Sequence, residues 1–272
     1  MKNSDSFLAF FLGFGLLLSL TAPAFADMEL SPVRQVITKD SPMVHFEVSN
    51  PSDRLLEGRV NWIDLSATQT GYSPATPDAR AALSAAPYLE VQPAFFRLEP
   101  GKRIRIEIRL RDGVRVPRGE RRSHLLVETQ ATRTPLRKTS ENGLQVDVGL
   151  GVSAPVILRN SGKAGAKITE AKLLRDDDGL LFLETLVKPT AEHSAYGHMI
   201  AEFTPDKDDA ETSVLALRAN VASFTDTPSR KVELPLGELS LGGGKMTVRY
   251  EGREEYEGII FDERSYTIAP SR

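Results

Sequence analysis

Residues with reactive side chains are few and scattered along this 272-residue chain. Cysteine is absent, which excludes thiolate chemistry, disulfides, cysteine-ligated metals and a lipid anchor on an N-terminal cysteine. The four histidines are His45, His124, His193 and His198. His193 and His198 share the stretch HSAYGH, without a carboxylate at ligand spacing, and zinc wants a tighter donor set. Asp176-Asp177-Asp178-Gly179 is acidic like a calcium loop but lacks its spaced ligands and closing glutamate, so it reads as a solvated hairpin turn. Gly242-Gly243-Gly244-Lys245 has neither the spacing nor the Ser/Thr of a phosphate loop and reads as a turn between strands. The basic loop Arg133–Lys138 has no interleaved aromatics, which speaks against nucleic acid and suits the steering of an acidic partner. No paired acid, base or nucleophile emerges, so the expectation is no enzyme, no metal and no cofactor.

The chemistry that does stand out is apolar. In GLQVDVGLGV, residues 143–152, Leu144, Val146, Val148, Leu150 and Val152 occupy every second position, against Gln145, Asp147, Gly149 and Gly151. In an extended chain successive side chains point to opposite faces, so one face of this segment is a row of five aliphatic residues. Buried in its own core, such a strand is ordinary. At a sheet edge, the row needs something to cover it, because exposed apolar edges invite aggregation. Asp147 and the preceding basic loop are the features that would blunt it.

The elements that must position this row are strands. Val44, Phe46 and Val48 alternate in VHFEVSN, Val60 and Trp62 in RLLEGRVNWIDL, and Ile104, Ile106, Ile108 and Leu110 in KRIRIEIRL. Asn50-Pro51-Ser52-Asp53, Pro100-Gly101 and Pro117-Arg118-Gly119-Glu120 supply turns, and Pro93 breaks a strand. The stretch ATPDARAALSAA suits a short helix with Asp78 near its start. Strands recurring every 8–12 residues indicate an all-β sandwich, and about seven of them fit into residues 27–158. LRNSGKAGAK at 158–167 is small and polar and reads as a hinge. Alternation resumes beyond it in KITEAKLLRD, LLFLETLVKP, HMIAEFTP, SVLALRANVASF, RKVELPLGEL, KMTVRYEG and SYTIAP, so residues 159–272 read as a second β-sandwich.

Residues 1–26 carry export signals. Lys2 is followed by the apolar run FLAFFLGFGLLLSL at 7–20 and by Ala24-Phe25-Ala26. The run is short for a membrane span, and the small-x-small triplet fits cleavage after Ala26, so a secretory signal peptide is expected. The formal charge of −3 gives no pull towards nucleic acid or anionic membrane.

Residues 30–160 resemble a known family, the PapD-like periplasmic chaperones of chaperone–usher pilus assembly. The resemblance runs in order through SPVRQVI, VHFEVSNPSD, EVQPAFFRLEPGKRIRI, VPRGERRSHLLVET (with GERRS where the family has RES) and LQVDVGLGVSAPVILR. It implies two immunoglobulin-like β-sandwich domains set in an L. It also implies a function: capping pilin-like subunits by donor-strand complementation, a form of strand addition, and delivering them to an outer-membrane usher. Leu144, Val146, Val148, Leu150 and Val152 would be the donor strand. Burying one large aliphatic side chain contributes about 1.5–3 kcal/mol, so five give on the order of 10 kcal/mol before ordering costs. The resemblance further implies that Arg34 anchors the subunit's terminal carboxylate together with a lysine. The lysine position falls on Gly151, which has no charge, and Arg122 and Arg159 are the candidate substitutes. Dimerisation is one way the free chain could cap its edge. The alternative reading is a two-domain β-sandwich structural or adhesive surface protein whose strand at 144–152 stays in its own core.

Overall fold

The computed structural model describes residues 28–130, 150–238 and 241–269. The expected signal peptide at 1–26 and the apolar positions Leu144, Val146 and Val148 lie outside the described residues.

The first half of the chain builds strands β1 (Glu29–Ser31), β2 (Gln35–Ile37), β3 (Met43–Ser49) and β4 (Leu56–Ile63). The small hairpin β5 (Leu65–Ala67) and β6 (Tyr72–Pro74) precedes helix α1 (Pro77–Leu83), and β7 (Leu89–Gln92), β8 (Phe95–Leu98), β9 (Arg103–Leu110), β10 (Gly119–Gln130) and β11 (Leu150–Asn160) complete the set. Two sheets, in the orders β1-β3-β9-β7 and β2-β11-β10-β4-β8, form the layers. Period-two alternation decides which residues meet between them. Phe46, Val48, Ile106 and Ile108 come from one layer and Val60, Leu125, Val127, Val156 and Leu158 from the other, all buried in one core. These include the alternating positions expected from VHFEVSN and KRIRIEIRL. The expected helix forms at α1, where the Thr76 hydroxyl caps the first turn by accepting from the Ala79 N–H at 3.3 Å.

The second half repeats the architecture with its own core. It comprises β12 (Ala166–Arg175), β13 (Leu181–Pro189), β14 (Ala195–Pro205), β15 (Ser213–Ser223), β16 (Arg230–Gly237), β17 (Gly244–Gly252) and β18 (Ile260–Ile268). Sheets β12-β13-β16 and β15-β14-β17-β18 enclose Ile168, Leu183, Val187, Met199, Leu234, Met246, Val248 and Tyr250. The protein is thus all-β, with two sandwiches. β11 runs on to Asn160, so the polar stretch expected as a hinge at 158–167 begins inside a strand and ends inside β12. The chain turns at Ser161 and Gly162, both with positive φ. Asp176 caps the hairpin between β12 and β13, its carboxylate accepting from the N–H groups of Asp178 and Leu180, which is a turn role.

A buried side chain holds the turn after β3. Asn50 is 1% exposed. Its amide donates to the carbonyls of Arg54 at 2.7 Å and Leu98 at 2.9 Å, and its oxygen accepts from the Ser52 N–H and hydroxyl. Asn50→Ala leaves two carbonyls without a donor, so it should cost about 1–3 kcal/mol. Urea unfolding measures this; an unchanged midpoint would show that water replaces the amide at no cost.

Candidate functional site

Among the described residues, two strands position the candidates of the first sandwich other than Arg34. β10 and β11 pair antiparallel from Thr129↔Leu150 to Gly119↔Asn160. On β11, Ala154, Val156 and Leu158 face the first core, and Val152 packs half-buried against its margin. The opposite face of β11 carries Ile157 and Arg159, and that of β10 carries Glu120, Arg122 and His124. Alternation sends this second set towards the other sandwich.

β11 has an uneven pair of edges. Over Val156–Leu158 it lies between β10 and β2, the latter pairing parallel through Gln35–Ile37. Over Leu150–Pro155 the ladder of the described residues has β10 alone. The first described residues of the expected donor row therefore sit where the strand has one paired side. Val152 is in phase with Ala154, Val156 and Leu158, on the face that builds the first core. Leu150 is placed in the strand opposite Thr129.

Arg34 leads into β2 and is 5% exposed, so it is no loose surface arginine. Its guanidinium grips Glu255 in bidentate fashion, at 2.9 and 2.7 Å, and reaches Glu254 at 2.6 Å. The same guanidinium lies 4.0 Å from the centre of the Tyr196 ring, a cation–π contact in a desolvated place. Arg159 donates at 2.6 Å to the Glu255 oxygen that also accepts from Arg34 Nη2, to Glu120 at 2.9 Å and to the Ser194 carbonyl at 3.2 Å. Glu120 also accepts from the Ser194 N–H and hydroxyl. Both oxygens of Glu255 are thus held by two buried cations. Arg34 and Arg159 do converge on one carboxylate, but it belongs to the chain itself.

Arg122 serves a separate pair. It donates to both oxygens of Asp226, at 3.2 and 3.0 Å, and to the Leu65 carbonyl at 3.0 Å, while stacking 3.8 Å from the Phe224 ring centre. Asp226 also accepts from the Ala67 N–H. Ala67, Ile157 and Phe224 form a small apolar patch beside this pair, joining the two sandwiches. Arg122 therefore pins the interface and does not share the carboxylate of Arg34 and Arg159.

The acidic partners escaped sequence reasoning. Glu254 and Glu255 lie in a one-turn 3₁₀ segment, Glu254–Tyr256, between β17 and β18. Glu254 has φ 56°, a left-handed conformation uncommon outside glycine. The turn folds back so closely that a Cβ on Gly252 would run into the Tyr256 carbonyl oxygen, which only glycine permits. The Gly252 N–H donates to the Ile259 carbonyl, and the Arg253 N–H to that of Tyr196. An adjacent pair of glutamates after a glycine was the one visible signal, and its partner stands 220 positions away in Arg34.

Electrostatics follow from burial and pairing. Burial alone would raise the Glu255 carboxyl, but the hydrogen bonds and charges of Arg34 and Arg159 outweigh it and hold it down at about 2. Burial presses the His124 imidazole down to about 4, helped by the Arg122 charge and opposed by Asp226. Neither ring nitrogen of His124 has a hydrogen-bond partner among the described residues, and the ring meets Tyr72 edge-on at 5.0 Å. Two pH windows result. Below about pH 6.5 the unfolded chain protonates His124 while the folded chain resists until about 4, so stability falls with pH across that range. The Glu255 contribution is complete above about 4.5 and drains away as pH falls towards 2. Urea midpoints across both ranges should show His124→Leu flattening the upper window and Glu255→Gln the lower. Curves that overlay the parent's would uncouple these groups from folding.

No protein-family model matches the chain, and no curated protein sequence matches it. Among solved structures it is similar to the YadV chaperone, at 10% identity and TM-score 0.45, with 89% of this chain and 100% of that one covered. It is similar to a chain of the CsuC–CsuE chaperone–tip adhesion subunit pre-assembly complex of Acinetobacter baumannii, at 10% identity and TM-score 0.43, covering 91% and 100%. A third likeness is to a chain of the Salmonella enterica SafA pilin in complex with the SafB chaperone, at 16% identity and TM-score 0.42, covering 91% and 99%. These are likenesses to fimbrial chaperones, and they stand beside a two-sandwich fold that rests on its own sheets and cores.

Proposed function

We propose that this chain is a periplasmic chaperone, exported with its signal cleaved after Ala26. It captures pilin-like subunits by lending them the strand that leads into β11 and hands them to an outer-membrane usher. The observation that carries the reading is β11 itself. Its Leu150–Pro155 half pairs with β10 along one side, and its interior face begins with Val152 and Ala154. The residues before it, Leu144, Val146 and Val148, keep the same period in the sequence. A partner with an open sandwich would continue this ladder through backbone pairing and this apolar face through its own core. The domain reading that goes with it assigns residues 27–158 to the capture module and 159–272 to its companion.

The two-sandwich structural or adhesive protein remains the rival, and it is favoured by the pairing of Arg34 and Arg159 with the chain's own Glu254 and Glu255. One experiment separates them. Tagged protein and a Val146→Asp, Val148→Asp variant are recovered from the periplasm and their companions identified by mass spectrometry. The chaperone reading expects a secreted β-protein held one-to-one by the parent, and its loss from a variant that stays folded by circular dichroism. A variant that unfolds would make the segment ordinary core and sink the capture reading.

A further inference from the structure

Glu255 is coordinated as a foreign carboxylate would be. One of its oxygens accepts from Arg34 at 2.7 Å and Arg159 at 2.6 Å, and the other accepts from Arg34 at 2.9 Å. The two cations come from the first sandwich, and their shared ligand arrives on a loop of the second. Tyr196 lies against the Arg34 guanidinium, and Tyr256 lies 5.1 Å from that of Arg159, so aromatic faces wall the cradle. Within the cluster two guanidiniums already face three carboxylates, Glu120, Glu254 and Glu255. A further carboxylate would meet a site whose charge is more than balanced and where both Arg34 Nη groups are already engaged, with only its Nε lacking a partner among the described residues.

We propose that the Glu254–Glu255 turn is a tethered occupant of the chain's own carboxylate cradle, and that a partner's terminal carboxylate binds there only by displacing it. The inference rests on the capture reading for its biological sense, since a captured subunit is the partner that would present such a terminus. Tethering supplies the occupant at an effective concentration on the order of millimolar or more, which a dilute free carboxylate cannot match. The turn is built for the task. Glu254 sits in a left-handed conformation that aims both glutamates at Arg34, and the loop beyond Gly252 returns to β18 within a few residues. Ground-state capture by the intact protein is therefore indifferent to the partner's terminal charge until the turn leaves, and the apolar strand supplies the first hold.

The test uses a probe too short to pair with a strand, an acetylated tripeptide of glycine and valine with a free C-terminal carboxylate. Its C-terminal amide is the control. Each is titrated against the full exported chain and against Glu254→Gln/Glu255→Gln, following the amide resonances of residues 34, 159 and 252–257. The parent should give no saturable shift with either peptide. The double variant should bind the acid at least about tenfold more tightly than the parent does, and should ignore the amide. Adding Arg34→Ala should abolish the gain. Should the double variant fail to fold, Glu255→Asp, which keeps the charge and draws it back by one methylene, is read in the same way. A parent that binds the acid as well as the variant does would mean that the cradle is open. Variants that bind neither peptide would mean that the arginines serve the interface alone. Either result overturns the inference. Because the probe reads the cleft and not the strand, a client that co-purifies while both proteins ignore the peptide removes the tethered occupant alone. A gain in peptide binding without any client removes the capture reading alone.

Discussion

The ion pairing between the buried arginines of the first sandwich and the carboxylates of the second sets the shape of the molecule. Taking guanidiniums and carboxylates out of water is costly, and the attraction between them offsets the cost only when the geometry is good. Here it is good: Arg34 is bidentate on Glu255, Arg159 spans Glu255 and Glu120, and Arg122 is bidentate on Asp226. The apolar contact between the sandwiches, around Ala67, Ile157 and Phe224, is small by comparison. Hydrophobic burial is non-directional, whereas a forked donor meeting a fixed carboxylate is directional. The angle between the sandwiches is therefore written in charge.

The same two strands carry both halves of this design. On β11 one face supplies Ala154, Val156 and Leu158 to the first core, and the other supplies Ile157 and Arg159 to the cleft. On β10, Leu125 and Val127 go inward, while Glu120 and Arg122 go to the cleft. A change on one face is thus felt by a rigid element whose other face holds the second sandwich.

Legibility varied with distance along the chain. Local pattern sufficed for Phe46 and Val48 on β3, for Ile106 and Ile108 on β9, for the turn at Asp176, and for the short helix near Asp78, because alternation, turn chemistry and capping act over a few residues. The polar stretch from Leu158 was harder, since a strand continues through small and polar residues when a neighbour pairs with it, as β10 does up to Asn160. The family resemblance singles out Arg34, and the structure sets it against Glu254 and Glu255 of the second sandwich. Its actual ligands were invisible, as was the division of labour that leaves Arg122 with Asp226 and gives Arg159 to Glu255.

By itself the sequence determined the all-β class, the two-sandwich plan, the absence of thiol chemistry and the period-two apolar row running from Leu144 to Val152. Each of these depends on composition or on neighbours within one strand or turn. Only the tertiary structure decided that the cation pair is Arg34 with Arg159, that Glu255 fills the space between them, and that His124 is buried with neither nitrogen paired among the described residues. The physical reason is that a charge finds its partner in space. Residues 34, 159 and 255 meet because two sheets fold on separate cores and are then turned to face each other, and nothing within a few residues of any of them records that encounter.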